Sequence, residues 1–314
     1  MISMDLSGDG VYVWRRRRNV KRENLTSVYA LLVASMALWG GTWVAGRILA
    51  QSMSPTPAAF LRFLVASAVL VAMSYWAQGR LPRLRREDVL PAMFLGATGV
   101  FAYSYFFFTG LQTISAGRAA LVVACVPVAI CIASAVVNRE RFGPLRAAGA
   151  LISLVGVSLV IGDGDPLALL TGGMQYGDLM ILGCVVSWTA YSLGGRALMQ
   201  RLNPLTAVTW SCIFGALFLL PPALMDGLFA EAAQARAIDW ACIVYLGSMA
   251  TALAFFWYYR AISIIGASRS GIFVNMVPVF AVIMGFFVLG EPLHLSLLAG
   301  GALVVTGVYL TNRP

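Results

Sequence analysis

"LWGGTWVAGRILAQSMSP", residues 38–55, lies without a gap over "SWTAYSLGGRALMQRLNP", residues 187–204, with Trp39 over Trp188, Arg47 over Arg196 and Pro55 over Pro204. Further along, Gly96, Ala116, Arg118, Pro127, Glu140 and Gly156 match Gly247, Ala267, Arg269, Pro278, Glu291 and Gly307, again at one constant offset. A chain that keeps register with itself over such a length reads as a duplication.

What was duplicated follows from composition. The 314 residues are 60% hydrophobic and only 11% charged, too apolar to furnish a water-facing surface, so the chain reads as an integral membrane protein. Crossing a hydrocarbon core takes about twenty apolar residues. That window predicts spans near 28–50, 57–77, 89–111, 116–136, 145–162, 177–198, 205–225, 239–263, 268–289 and 294–311. Each repeat then holds five spans, and because five is odd the second copy enters the membrane from the opposite side. The expected fold is all-α, ten transmembrane helices in two inverted five-helix repeats. A basic cytoplasmic tail (1–27) precedes the first repeat (28–162), an outward linker (163–176) follows it, and the second repeat covers 177–311.

Arginine placement orients the bundle. "RRRRNVKR" (15–22) and the segments bearing Arg80, Arg83, Arg85 and Arg86, Arg139, Arg141 and Arg146, Arg196 and Arg201, Arg260 and Arg269, and Arg313 alternate with loops holding only Arg118 and Arg236 among Asp163, Asp165, Asp226 and Glu231. By the positive-inside rule both termini are cytoplasmic. The same rule, with attraction to anionic lipid, accounts for the net charge of +9 without nucleic acid as a partner. The first span has no convincing cleavage site after it and reads as a retained helix, in a multi-pass protein of a bacterial-type inner (plasma) membrane.

Inverted repeats can exchange conformations, which opens a site between them first to one side and then to the other. A transporter of a small molecule is the natural reading. A duplicated scaffold offers no large soluble contact surface, and a channel would want a charged ring or a carbonyl-lined filter. Catalysis lacks its residues: there is no metal cluster, no nucleophile elbow and no Walker loop, so no cofactor and no enzyme activity are expected. "GDGDP" (162–166) reads as an exposed turn, not a calcium loop. The five cysteines read as small hydrophobes and His294 as an interfacial residue.

"LWGGTWVAGR", the basic second loop, the mid-span prolines of "VVACVPV" and "VNMVPV", and "LGEPLHLSLLAGGALVVTGVYL" resemble the drug/metabolite transporter superfamily, specifically its EamA-type members, over residues 28–311. The resemblance implies a ten-helix inverted-repeat fold and export of small metabolites. It leaves the metabolite open.

Symmetry and depth select the candidate cargo site. Trp39 and Trp188 sit at mid-span, away from the interface tryptophan prefers, each followed by small residues (Gly40 and Gly41; Thr189 and Ala190) that suggest a close approach. Trp43 and Tyr191 extend their faces by a turn. The run "FAYSYFFF" (101–108) puts Tyr103, Phe107 and Gly110 on one helical face and Phe101, Tyr105 and Phe108 on another; "AFFWYY" (254–259) is its repeat partner. Tyr103, Phe107 and Tyr258 are taken as the lining stripe, since buried phenols need polar partners. Pro127 and Pro278 each kink a span and free the carbonyl four residues earlier, at Val123 and Val274, with Asn275 alongside. Arg47 and Arg62 read as snorkelling cations that otherwise attract an anionic group. Glu140 and Glu291 read as caps or salt-bridge partners. No span centre carries a carboxylate, so the usual intramembrane proton carrier is missing.

Rings stack on aromatic cargo and attract its amine, so the first-choice cargo is an aromatic amino acid or related compound, carried by facilitated diffusion. This resembles the aromatic amino-acid exporters of the superfamily. The alternatives are a proton-coupled exporter of lipophilic cations, nucleosides or other amino acids and, in a different class, a channel. The seven-residue glycine spacings Gly149–Gly156 and Gly300–Gly307 could pack either a homodimer or their own bundle.

Overall fold

A computed structural model describes residues 3–6, 12–15, 25–79, 83–138, 143–165, 174–199, 202, 204–265, 270–271 and 273–311. Arg80, Arg139, Glu140, Arg141, Arg201, Arg269, Arg313 and most of the basic run lie outside the described residues, as does the side chain of Arg196. In the tail, where no structure was expected, Ser3–Leu6 pairs antiparallel with Tyr12–Arg15. Every other regular element among the described residues is helical.

The helices in chain order are α1 (Leu25–Ala50), α2 (Pro55–Gln78), α3 (Arg86–Leu95), α4 (Tyr103–Leu111), α5 (Ala116–Val123), α6 (Val126–Asn138), α7 (Pro144–Ile161), α8 (Tyr176–Met199), α9 (Pro204–Met225), α10 (Leu228–Gln234), α11 (Ala237–Val244), α12 (Ala254–Ile265), α13 (Met276–Met284) and α14 (Leu295–Thr311). Seven helical stretches among the described residues are long and apolar enough to cross a membrane: Leu25–Ala50, Pro55–Trp76, Arg86–Leu111, Ala116–Val136, Pro144–Ile161, Leu205–Met225 and Ala237–Ile262. Two shorter apolar stretches, Met276–Leu289 and Leu295–Thr311, follow. Large apolar side chains point outward all round the bundle, with Trp76, Leu90, Val136, Phe287 and Leu295 among the most exposed. Water would penalise such a surface and lipid does not.

Prolines start helices here as readily as they kink them. Pro55, Pro144 and Pro204 stand at the first helical position, where a missing N–H costs nothing. Pro127 and Pro278 fall in the first turns of α6 and α13, just after breaks at residues 124–125 and 274–275. Across the second break the Val277 N–H donates to the Val274 carbonyl at 3.0 Å. That carbonyl, expected to be free, is engaged because the chain tightens to a three-residue turn there.

Three π-helical segments were not foreseen. Gly96–Ala102 joins α3 to α4, Tyr245–Leu253 joins α11 to α12, and Gly285–Leu289 extends α13. The first two coincide at the offset that puts Gly96 over Gly247. Wide turns of this kind open the backbone ladder and gather at functional sites.

The glycine faces of α7 and α14 meet each other inside the monomer. A Cβ on Gly149 would stand 2.6 Å from the Thr311 nitrogen, and one on Gly156 would stand 2.7 Å from both the Gly300 oxygen and the Val304 nitrogen. Small residues let two backbones approach closely where no hydrophobic force drives helices together.

Candidate functional site

Five of the expected site residues form one unbroken path of ring contacts through the bundle. Trp43 on α1 meets Phe107 on α4 with centroids 5.1 Å apart, Phe107 meets Tyr103 at 6.1 Å, Tyr103 meets Trp188 on α8 at 5.3 Å, and Trp188 meets Tyr191 at 5.0 Å. These are offset and tilted pairs at the separations aromatic quadrupoles favour. Phe107 is the hub and is fully buried, and the tip of its ring packs against Gly46, where a Cβ would come within 2.5 Å of it. It therefore supports the path from behind and does not line it. Tyr103, Trp188 and Tyr191 keep part of their surface accessible while packing on the main core or beside it. Gly99, in the first π segment, lets the Tyr191 ring rest against the backbone.

The aromatic run of α4 divides as helical spacing requires, with one departure. Tyr105 faces outward at 40% exposure, whereas Phe108, expected on the same face, is fully buried edge-on to Phe107 at 5.0 Å.

Trp39 and Tyr258 belong to a separate cluster. Their rings lie 5.1 Å apart, and Phe255, which sequence reasoning passed over, contacts Trp39 at the same distance. The Trp39 indole N–H donates to the Ala250 carbonyl at 3.0 Å, inside the second π segment, and the Tyr245 hydroxyl donates back to the Leu38 carbonyl at 2.7 Å. The close approach inferred at Gly40 and Gly41 is made by protein: Phe280 Cβ lies 2.5 Å from a Cβ placed on Gly40, and the Tyr245 hydroxyl occupies that space at Gly41. The two glycines pack α1 against the second π segment and α13 and leave no opening there. Asn275 stands at the break before α13, half-buried, and makes no capping bond.

Both interior arginines are engaged by the protein. Arg47 donates through Nη1 to the Leu111 carbonyl, tying the end of α1 to the end of α4. Arg62 is 9% exposed, and its guanidinium sits 4.9 Å from the Phe63 ring centroid and 5.7 Å from that of Phe107. Burial by α4 and α9 leaves it no route to a headgroup.

The bundle end that holds the α1–α2 turn is tied together by polar contacts. Ser52 donates to Asp239 at 2.8 Å, the Ser54 N–H to Glu231 at 2.9 Å, Thr56 to Asp226, and Gln51 to the Gln112 carbonyl at 3.1 Å. Glu291 acts as the expected cap, accepting from the Ala116 and Gly117 N–H groups at 2.7 and 3.1 Å and so placing a carboxylate on the positive end of α5. Arg118 and Asp178, which sequence alone did not pair, make a bidentate ion pair at 2.8 and 2.6 Å. A cavity of about 210 Å³ lies at this end, lined by Thr113, Ser115, Arg118, Gln175 and His294 among others, and it touches none of the aromatic path. No group of three metal-ligating side chains occurs among the described residues.

Lipid-facing helices around an interior path of rings define a multi-pass membrane transporter fold. The chain belongs to the EamA-like transporter family, whose model matches residues 26–162 and again 175–313. It is 31% identical over 279 residues to the uncharacterized transporter YdfC of Bacillus subtilis (strain 168), covering 88% of each chain. The uncharacterized transporter YetK of the same organism is 29% identical over 90% of this chain and 86% of its own. A probable terminal-alkyne amino-acid exporter of Streptantibioticus cattleyicolor is 29% identical over 90% of this chain and 92% of its own. Among the solved structures it resembles, a crystal structure matches with a TM-score of 0.62 over 91% of this chain and 97% of that one; at 23% identity the likeness speaks for the fold alone. The protein is thus a small-molecule transporter of the inner (plasma) membrane, working in lipid.

Proposed function

We propose that the protein is a ten-span carrier of two inverted five-helix repeats, 28–162 and 177–311, joined by the outward linker 163–176, with both termini cytoplasmic. It exports small amphipathic metabolites by alternating access, with aromatic amino acids as the leading cargo, moved by facilitated diffusion. The observation that carries this reading is the ring path Trp43–Phe107–Tyr103–Trp188–Tyr191, which draws on both halves and leaves three amphipathic rings only partly buried. Tyrosine and tryptophan present an apolar face with a polar edge, the combination that suits an aromatic zwitterion. The double match of the family model and the paired π segments support the repeat. The relative named as an amino-acid exporter supports the cargo class.

Coupling to protons is a second reading, favoured by Asp88 in the first turn of α3. Its side chain is almost fully buried, and Oδ1 has no hydrogen-bond partner among the described residues.

The test is uptake of labelled amino acids and organic cations into proteoliposomes of the purified protein, with and without an imposed proton gradient. Saturable uptake of aromatic amino acids without a gradient supports the carrier. Uptake that requires the gradient moves the assignment to the coupled exporter, and uptake confined to organic cations removes the amino-acid reading.

A further inference from the structure

Arg62 lies about 10 Å along α2 from its start, and its Nε and Nη1 atoms are buried with no hydrogen-bond partner among the described residues. Such an arrangement is costly: buried cations are normally paired, and guanidinium donors normally find acceptors. Tyr103 and Cys212 are the groups within electrostatic reach, and neither is a carboxylate. The faces of Phe63 and Phe107 hold the cation from the sides and leave its N–H groups unused. On the stripe of α4 that carries Phe107, the Ser104 hydroxyl is also buried without a partner.

The fold itself does not demand a cation here. At the offset that places Trp39 over Trp188, Arg62 falls over Ser211. Ser211 is equally buried but satisfies itself by donating to the Val208 carbonyl at 2.9 Å. One repeat thus fills the position with a self-contained residue, and the other with a charge that has donors to spare. Those donors lie beside the ring path, since Phe107 touches both Arg62 and Tyr103.

We infer that Arg62 is the subsite for a carboxylate on the transported molecule, so that the cargo is an acid-bearing compound of the amino-acid type and not a free amine. This rests on the proposed reading of the ring path as the cargo site. A bidentate guanidinium–carboxylate pair supplies the missing acceptors and fixes the cargo's orientation. The rings then contact the remainder.

Thermal-shift titration of the purified full-length protein tests it, with four probes: L-phenylalanine, L-phenylalaninamide, L-leucine and 3-methylbutylamine. In the wild type the two acids bind and the two compounds lacking a carboxylate bind at least roughly thirtyfold more weakly, the effect expected when a buried charge pair loses one partner. Arg62→Gln abolishes that preference, and Arg62→Lys, which keeps the charge without the planar fork, retains part of it. Equal binding of acid and amide by the wild type overturns the inference. So does an Arg62→Gln protein that keeps the preference, or one that loses acid and amide alike. Should Arg62→Gln not yield folded protein, the wild-type ratio and its weakening in Arg62→Lys decide the matter. Leucine bound as well as phenylalanine retires the aromatic reading while the carboxylate subsite stands, and binding of neither acid removes both.

Discussion

Replacing Asp178 by alanine is the perturbation whose outcome the structure constrains most tightly. The side chain is fully buried and accepts from Arg118 Nε at 2.8 Å, from Arg118 Nη2 at 2.6 Å and from the Gln175 N–H at 2.9 Å. Deleting it leaves the Arg118 guanidinium, only 14% exposed, with the Ile161 carbonyl at 2.6 Å as its remaining acceptor among the described residues. Breaking a buried pair in this one-sided way costs about 3–5 kcal/mol, because an uncompensated charge stays behind. Removing both charges with Arg118→Met and Asp178→Ala recovers much of that loss, since nothing charged is left buried. Asp178→Asn, which still accepts from the Gln175 N–H, falls between wild type and Asp178→Ala. The assay is thermal unfolding of each variant in the same detergent, arranged as a double-mutant cycle. An Asp178→Ala protein that melts with the wild type, or a double variant whose loss equals the sum of the two single losses, would refute the reasoning. The pair joins α5 to the start of α8, so the result also measures how firmly the two halves are tied at this end.

Three further outcomes follow from the geometry. Gly156→Leu drives a side chain into the Gly300 oxygen and the Val304 nitrogen, backbone atoms that cannot give way; it lowers the midpoint of thermal unfolding far more than Leu151→Ala on the exposed face of the same helix. Trp188→Ala and Tyr103→Ala weaken transport of aromatic amino acids by roughly tenfold or more, about 1.4 kcal/mol of ring contact; unchanged uptake kinetics at a normal protein level would remove the ring path from the cargo site. A cysteine placed at Gln175 is labelled by an impermeant maleimide from outside the cell; labelling only after the cytoplasmic face is opened reverses the proposed orientation.

The helices were legible because the signal for them is local. Hydrophobic length marks a span wherever it occurs, and the helices observed begin and end within about three residues of the expected positions at α1, α2, α7, α8, α9 and α14, and at α5 and α6 taken together. The duplication was legible for a similar reason: register is a property of the linear sequence. The site was legible only in part. Trp188, with Trp43 and Tyr191, was named from symmetry and depth and Tyr103 and Phe107 from helical spacing, and their rings do meet. The same reasoning grouped Trp39 with them, yet its N–H is taken by a carbonyl 211 residues away. Spacing cannot tell a ring that faces a path from one that locks two helices together. The π segments left no trace in periodicity, although the small residues at Gly96, Gly99 and Gly247 were a signal that could have suggested close packing there.

By itself the sequence determined that this chain lives in lipid, where its helices run and that its two halves resemble each other, because solvent preference and self-similarity are written residue by residue. Tertiary structure alone decided that Phe280 and Tyr245 fill the space beside Gly40 and Gly41, that Phe108 turns inward, and that Arg62 is enclosed. Those outcomes depend on which distant side chains arrive at the same place, and only the packed bundle brings them there.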